Sequence, residues 1–283
     1  MKKAVAKSYA KINLSLDVLG KMDNGYHNVK MVMQTVSLFD LVTICQSRQG
    51  ISISTNLPFL PIDENNIAYK AAKEFFDYTG IKSGVDIDIS KRIPVGAGLA
   101  GGSSNAAAVL KSMNKLFKTG LSLKELCSFG VNLGADVPYC ILGGTRLAEG
   151  IGEKLSPLPK MPECSILLVK PAFSVSTKSV YEKIDLHQNY PHPDTEGLIN
   201  GLHNGSLHEI SASMCNVLEE VCLSDYPVLM QAKKELCELG AIKSQMSGSG
   251  PTIFGIFEKY EDAANAKKVL WRKYKTVYIC SPV

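Results

Sequence analysis

The first part of the chain alternates apolar and polar residues, which is the two-residue period of a half-buried β-strand. Around residue 12, for example, Ile12, Leu14 and Leu16 are apolar and the residues between them are polar. The same pattern predicts strands over residues 4–19, 29–44, 51–55 and 84–92. Together these strands indicate a largely antiparallel sheet.

Helical spacing of apolar residues appears between and after these strands. One predicted helix covers residues 66–79 and ends near Gly80, and a second covers 103–117. A third begins at Ser122, where Glu125 completes a capping box, and ends at Gly134. Strands and helices that follow one another without strict alternation indicate an α+β protein.

The chain changes character at Pro157, Pro159 and Pro162, which predicts a boundary between domains 1–157 and 158–283. Beyond it the pattern predicts strands at 164–170, 241–246, 252–258 and 275–281, and helices at 176–184, 206–223, 226–239 and 261–273. That order resembles a ferredoxin-like layer of helices on an antiparallel sheet. The polar stretch 187–204, which contains Pro191 and Pro193, is predicted to be a loop or a short irregular connection.

Composition restricts the classes of partner. The 283 residues carry 31 basic and 27 acidic side chains spread along the chain, a net charge of +4, which does not suggest nucleic acid but suits a small anionic substrate. Residues 93–110 are uncharged, but their glycines and polar residues make a poor membrane helix. The eight cysteines contain no C-x-x-C pair, so a reduced cytoplasmic location is expected.

A glycine-rich segment precedes the predicted helix at 103–117 and is the most informative feature of the chain. Glycines let backbone amides approach a ligand, and the first turn of a helix offers unpaired N–H groups, so this segment predicts a phosphate-binding loop. The predicted phosphate-binding residues are Pro94, Val95, Gly96, Ala97, Gly98, Leu99, Ala100, Gly101, Gly102, Ser103 and Ser104.

Three common phosphate loops do not fit this segment. A dinucleotide-binding fold needs a strand leading directly into the glycines, where Pro94 stands, and an acidic residue about 20 positions later. A Walker loop needs lysine at the position of Gly102. A protein kinase would carry H-R-D and D-F-G, and neither tripeptide occurs in the chain.

Candidate catalytic groups lie outside the loop. Lys11 and Asn13 share one face of the first predicted strand, although a solvated strand face would also explain them. Asp136 stands on a short loop before Pro138 and could equally be a turn-forming residue. The spacing of the five histidines predicts no histidine-ligated metal site, so any metal is expected to arrive with a nucleotide.

Two further turns are candidate binding elements. The segment 247–252, Ser-Gly-Ser-Gly-Pro-Thr, could approach phosphate oxygens from a second side, or could be a hairpin without a ligand. Tyr26 and His27 present an aromatic ring and an imidazole on a turn that could stack on a planar base. The alternative is an exposed hairpin tip that covers the sheet.

Taken together, Y-A-K-I-N-L at 9–14, P-V-G-A-G-L-A-G-G-S-S-N-A-A at 94–107 and M-S-G-S-G-P-T at 246–252 resemble the three motifs of the GHMP small-molecule kinase superfamily in order and spacing. The D-N-G-Y-H turn at 23–27 and L-G-A-D-V-P at 133–138 are most similar to the branch whose substrate is a cytidine-diphosphate-linked polyol. The resemblance spans nearly the whole chain and implies a ribosomal-protein-S5-like N-terminal domain with a ferredoxin-like C-terminal domain.

The resemblance also implies roles for individual residues. ATP would donate its γ-phosphoryl group, Asp136 would accept or orient the proton of the substrate hydroxyl, and Lys11 would stabilise charge in the transition state. Mg²⁺, carried with ATP, would lie near Ser103 or Ser104, and Asn66 and Lys91 would lie near the adenine. The implied substrate-binding residues are Asn13, Tyr26, His27, Thr177, Tyr181, Gly248 and Ser249.

Within this resemblance some points stay open. Tyr181 would stack on the cytosine, or would simply pack on the core. Ala97 and Ala100 replace glycines that some relatives carry, and ordinary φ angles are expected there. A homoserine- or mevalonate-type kinase would share the phosphate loop without needing a base-stacking pair, and a non-catalytic nucleotide-binding member would not need Lys11 with Asp136. A monomer or a weak homodimer is expected.

Overall fold

The computed structural model describes residues 2–23, 25–186 and 190–283. Asn24 of the predicted turn at 23–27 and residues 187–189 of the predicted loop lie outside the described residues. In chain order the elements are β1 (Lys3–Lys21), β2 (His27–Ser47), β3 (Ile51–Thr55), α1 (Ile67–Thr79), β4 (Gly84–Ser90), α2 (Gly101–Phe117), α3 (Leu123–Leu133), α4 (Val137–Leu142), β5 (Thr145–Gly150), β6 (Lys154–Pro157), β7 (Ser165–Val169), α5 (Thr177–Ile184), α6 (Thr195–Asn204), α7 (Leu207–Ser213), β8 (Cys215–Asn216), α8 (Glu219–Asp225), α9 (Pro227–Glu238), β9 (Lys243–Met246), β10 (Ile253–Phe257), α10 (Tyr260–Tyr274) and β11 (Val277–Cys280).

The chain forms two compact units, each built from discontinuous segments. Unit 1 comprises Met1–Ala10, Phe39–Ile93 and Ala100–Leu142; unit 2 comprises Lys11–Leu38, Pro94–Leu99 and Gly143–Val283. The long strands β1 and β2 therefore contribute residues to both units. The predicted division into domains 1–157 and 158–283 stays a prediction.

Unit 1 packs helices on a sheet. Strand β4 lies between β3, to which it is parallel, and the second half of β2, to which it is antiparallel. Helices α1, α2, α3 and α4 share a buried apolar core with these strands, in which Phe75, Ile87 and Leu110 are almost fully buried. The predicted capping box is confirmed, because the Ser122 hydroxyl accepts from the Glu125 amide and the Glu125 carboxylate accepts from the Ser122 amide.

Unit 2 contains an antiparallel sheet in the order β11-β7-β10-β9. Strands β7, β9, β10 and β11 with helices α9 and α10 follow the chain order βαββαβ, which is the ferredoxin-like arrangement. Helices α5 to α8 and the short strand β8 are inserted after β7. The α+β class and the ferredoxin-like part of the prediction are confirmed.

Two predicted elements of the second half are wrong. The single helix predicted over 206–223 is divided into α7 and α8, because β8 lies between them and pairs in parallel with β1, Cys215 opposite Ser15. The loop predicted over 187–204 contains α6, whose first turn is capped by Asp194 and whose end is a left-handed Gly205. The first prediction failed because β8 pairs with β1 and interrupts the helix. The second failed because the prolines favoured a loop, although the sequence also contains a capping aspartate and a terminal glycine for α6.

Candidate active site

The glycine-rich segment adopts left-handed backbone at three positions. Gly96 and Gly98 have φ angles of +59° and +72°, as expected of glycine, but Ala100 also has a positive φ of +54°. The expectation of an ordinary φ at Ala100 is therefore wrong. A left-handed alanine costs roughly 1–2 kcal/mol, and strain of this kind persists only where surrounding contacts impose it. Ala100 is the residue immediately before α2.

The first turn of α2 has no side-chain cap. Ser104, which is buried, donates its hydroxyl to the Tyr9 carbonyl and accepts from Ser8, so both its polar functions are used within unit 1. The half-buried Ser103 hydroxyl has no hydrogen-bond partner among the described residues. Of the two predicted serines, Ser103 is thus the one whose oxygen is available to a ligand.

Lys91 and Asn66 are both engaged inside unit 1. The buried Lys91 ammonium donates to Asp40 and, at 2.9 Å, to Asn105. It also lies 3.2 Å from where a Cβ at Gly101 would be. The Asn66 amide caps α1 by accepting from the Ala68 N–H at 2.9 Å. The predicted contacts of Lys91 and Asn66 with adenine stay predictions.

Lys11 is 5% exposed, which excludes the alternative of a solvated strand face. Its ammonium donates to Asn13 Oδ1 at 2.6 Å, and its backbone N–H donates to the Leu99 carbonyl at 3.2 Å. Gly248 has a φ of +57°, and a Cβ there would be 3.3 Å from Lys11 Nζ. Within unit 2 the fold thus brings Lys11 and Asn13 against the turn at 247–249.

The same turn contacts the phosphate loop. The buried Ser247 hydroxyl donates to the Gly98 carbonyl at 2.9 Å, and a Cβ at Gly98 would lie only 2.2 Å from the Ser247 carbonyl oxygen. Because of this close approach, Gly98 is required for space as well as for its φ angle. The two glycine turns that the sequence singled out are in direct contact within unit 2.

Asn216 is a residue that sequence reasoning missed. It is 2% exposed, and its amide nitrogen donates to the carbonyls of Met246 and Gly248 at 2.9 and 2.8 Å. An isolated asparagine inside a predicted helix carries no signal in the sequence. Only the division of that helix by β8 makes Asn216 recognisable.

His27 lies among polar and aromatic partners in unit 2. Its Nε2 is 2.6 Å from Asp185 Oδ1, and its ring centroid is 4.8 Å from that of Tyr181 at an angle of 40°. Lys21 donates to the other oxygen of Asp185 at 3.0 Å. Desolvation by itself would raise the pKa of Asp185, but the bonds from His27 and Lys21 outweigh it and lower that pKa.

Three other predicted residues of unit 2 differ in their surroundings: Tyr26 is exposed, whereas Thr177 and Ser249 are bonded to each other. Tyr26 is 58% exposed, so its ring is accessible from solvent. Thr177, at the start of α5, and Ser249, in the glycine–serine turn, are joined by a hydroxyl–hydroxyl bond of 2.8 Å. His27 is therefore brought together with Tyr181, and Thr177 with Ser249.

Asp136 lies in unit 1, directly before α4, where its backbone carbonyl accepts from the Cys140 N–H at 3.0 Å. Its half-buried carboxylate has no hydrogen bond or ion pair with any other described residue. A carboxylate that lies directly before a helix and has no partner in the described part of the chain can accept a proton or a hydrogen bond from a ligand. The catalytic assignment of Asp136 and Lys11 stays a prediction.

Among residues 2–23, 25–186 and 190–283, no three His, Cys, Asp or Glu side chains are grouped so as to hold a metal ion. Over the same described ranges, no helix has the length and apolar character needed to cross a membrane.

Comparison with known proteins identifies the relatives of this chain. Residues 66–144 match the family model described as the GHMP kinases N terminal domain, and residues 198–276 match that of the GHMP kinases C terminal domain. A protein of Lachnoclostridium phytofermentans named 4-diphosphocytidyl-2-C-methyl-D-erythritol kinase is 51% identical, and the match covers 92% of this chain and 90% of the relative. A protein of the same name from Alkaliphilus oremlandii is 50% identical, with coverage of 99% and 96%.

A solved structure supports the same relationship. The crystal structure of a 4-(cytidine 5'-diphospho)-2C-methyl-D-erythritol kinase is 30% identical to this chain, with a TM-score of 0.85 and coverage of 99% of each chain.

Proposed function

This chain belongs to the GHMP kinase family, and we propose that it transfers the γ-phosphoryl group of ATP to the 2-hydroxyl of 4-diphosphocytidyl-2-C-methyl-D-erythritol. The family membership implies a small-molecule kinase that uses ATP. The cytidyl substrate is supported by relatives of that name that are about half identical over most of the chain. In this reading the protein serves the non-mevalonate route to isoprenoid precursors.

The buried Lys11 ammonium is the observation that carries the phosphoryl-transfer activity. It lies beside Asn13 and Gly248 in unit 2, and the turn that contains Gly248 contacts Gly98 of the phosphate loop. An ammonium in a site that excludes water stabilises developing phosphoryl charge far better than it would in solvent. A non-catalytic nucleotide-binding protein could use such a cation to bind phosphate, but it would not need Lys11 together with Asp136.

The uncapped first turn of α2 supports binding of the ATP phosphates. Unpaired N–H groups and the positive end of the helix dipole favour an anion. Mg²⁺ bound with ATP would neutralise phosphate charge during transfer. The Ser103 hydroxyl, which has no partner among the described residues, fits a ligand of that ion, whereas Ser104 is already used by Ser8 and Tyr9.

The substrate hydroxyl requires a proton acceptor, and Asp136 is our candidate. In our proposal it accepts or orients the hydroxyl proton as the oxygen attacks phosphorus. Its carboxylate is free of bonds to other described residues and is therefore available for this role. Lys11 stabilises the charge that develops on the transferred group.

The cytidyl end of the substrate would bind near His27. The His27 ring is held by Asp185 and lies against Tyr181, and the exposed Tyr26 precedes it in the chain. Aromatic side chains bind nucleobases by stacking, and a histidine of fixed orientation can add a hydrogen bond. A homoserine- or mevalonate-type kinase would not need this group of residues.

The purified protein with ATP and Mg²⁺ should phosphorylate 4-diphosphocytidyl-2-C-methyl-D-erythritol, with homoserine and mevalonate assayed in parallel. Product is followed by ³¹P NMR, which also locates the new phosphate on the 2-hydroxyl. Turnover of homoserine or mevalonate instead would overturn the substrate assignment. Absence of turnover with all three alcohols, while ATP still binds, would favour the non-catalytic alternative.

A further inference from the structure

The glycine–serine turn is hydrogen bonded to a side chain that lies outside it. The Asn216 amide nitrogen donates to the Met246 carbonyl at 2.9 Å and to the Gly248 carbonyl at 2.8 Å, while its oxygen accepts from the Leu218 N–H at 3.0 Å. The amide is therefore anchored by Leu218 on one side and holds the turn on the other. Because Asn216 is 2% exposed, water does not compete for these bonds.

The turn held by Asn216 contacts the two groups that the proposed reaction requires. On one side Gly248 borders the Lys11 ammonium, and on the other the Ser247 hydroxyl donates to the Gly98 carbonyl at 2.9 Å. A Cβ at Gly248 would also lie 3.4 Å from the Gly98 carbonyl oxygen. Any rotation of the Gly248 peptide would therefore change the space around both Lys11 and the phosphate loop.

Other bonds hold the ends of this segment, and Ser249 is bonded to Thr177, but among the described residues the donor to the Gly248 carbonyl is Asn216. The Met246 N–H donates to Glu219 at 2.6 Å, and the Ser247 N–H donates to the Thr252 carbonyl at 2.9 Å. Both fix the strand end of the turn. The Gly248 φ of +57° belongs to a residue with wide conformational freedom, so a bond to its carbonyl has a large effect on the peptide that follows.

We propose that Asn216 is a positioning residue for phosphoryl transfer, which acts through the Met246 and Gly248 carbonyls to keep the 246–249 turn packed against Lys11 and Gly98. The proposal rests on the proposed function. In it Asn216 touches neither ATP nor the alcohol. Its contribution is to fix the location of the Lys11 ammonium, and location strongly affects the rate of a reaction that relies on electrostatic stabilisation.

A double-mutant cycle tests this mechanism. Asn216→Ala should lower kcat about tenfold or more when Lys11 is present, because a displaced ammonium stabilises the transition state less. In the Lys11→Ala background the same change should alter kcat by less than about twofold, since the group through which Asn216 acts is gone. An equal fold-loss in both backgrounds would overturn the proposal.

Asn114→Ala is the matched control. Like Asn216, the Asn114 side chain donates to a loop carbonyl, that of Leu121 at 2.7 Å, and accepts from a backbone N–H, that of Leu121 at 3.1 Å. Asn114 differs in that it lies on α2 in unit 1. It should leave kcat nearly unchanged. Asn216→Asp, which keeps the shape but removes both donated bonds, is the second variant. If neither Asn216 variant folds, or if Asn114→Ala reproduces the loss of kcat, Asn216 is a general structural residue and the proposal fails.

A measurement without substrate separates this inference from the proposed function. In protein labelled with ¹³C and ¹⁵N at lysine, the Lys11 side-chain signal is assigned by its loss in Lys11→Arg. Asn216→Ala should move that signal and Asn114→Ala should not. A wild-type protein that phosphorylates none of the alcohols would overturn the proposed function, whereas an unmoved Lys11 signal would overturn the role of Asn216.

Discussion

The Lys91 ammonium is hydrogen bonded to the Asp40 carboxylate, and both side chains are buried in unit 1. Asp40 also has hydrogen bonds to residues on either side of the phosphate loop. It accepts from the Asn105 amide of α2 at 2.9 Å and from the backbone N–H groups of Arg92 and Ile93 at 2.7 and 2.8 Å. One carboxylate therefore ties the segment that enters the loop to the helix that leaves it.

Asp40→Asn should destabilise the protein strongly. It would leave the buried Lys91 ammonium without its counter-ion, and breaking a buried pair in this way costs about 3–5 kcal/mol. Urea unfolding measures the loss. Asp77→Asn is the control, because the exposed Lys73–Asp77 pair on α1 should contribute less than about 1 kcal/mol. Equal losses for the two variants would contradict this account.

Asp136→Ala should lower kcat by about 100-fold or more with little change in the KM for ATP, since general-base catalysis typically contributes this much. Steady-state kinetics with the cytidyl substrate provide the measurement. Asp86→Ala, which removes an exposed carboxylate bonded to Ser52 on the neighbouring strand, should retain normal turnover. Near-normal kcat in Asp136→Ala would remove Asp136 from the mechanism.

Tyr26→Ala should weaken binding of the cytidyl substrate by about 1–3 kcal/mol if the ring stacks on the base. The KM for that substrate should rise while the KM for ATP stays the same. Tyr260, which is 62% exposed on α10 compared with 58% for Tyr26, gives a matched control in Tyr260→Ala. An unchanged substrate KM in Tyr26→Ala would refute the stacking role.

Gly98→Ala should raise the KM for ATP by about an order of magnitude, because a Cβ only 2.2 Å from the Ser247 carbonyl forces the phosphate loop to move. Gly80→Ala separates this effect from backbone strain. The φ of Gly80, +68°, is close to the +72° of Gly98, but no atom of a described residue lies within 4 Å of a Cβ added at Gly80. Both variants should lose stability, and only Gly98→Ala should lose ATP affinity; a parallel loss in Gly80→Ala would contradict the prediction.

Thiol modification should depend on burial. Burial raises the pKa of Cys164 and of Cys222 to about 12, so at pH 8 only about one such thiol in ten thousand is ionised. Iodoacetamide at pH 8 should label the exposed Cys237 first, as mass spectrometry of the peptides would show. At any pH below their pKa, the thiolate fractions of Cys164 and of Cys222 should each increase about tenfold for every unit by which the pH is raised. Labelling of Cys222 as fast as Cys237 would be inconsistent with this burial.

Much of the fold could be predicted because local patterns decide it. The alternation around Ile12 and the capping box at Ser122 gave β1 and α3 within two residues of their observed ends. The predicted helix at 206–223 failed because its interruption is caused by a partner strand far away in the sequence, with Cys215 opposite Ser15. Helical propensity cannot report a pairing between residues this distant.

Some features of the candidate site could likewise be predicted from local sequence, and others depend on the tertiary structure. By itself, the sequence determined which short segments are candidates for phosphate binding, because glycines let backbone amides approach a ligand and a helix start offers unpaired N–H groups. The tertiary structure decided that Lys11 is buried rather than solvated, that Ser103 and not Ser104 has a free hydroxyl among the described residues, and that Asn216 holds the second turn. Burial and hydrogen-bond partners depend on residues far apart in the chain, and so only folding assigns them.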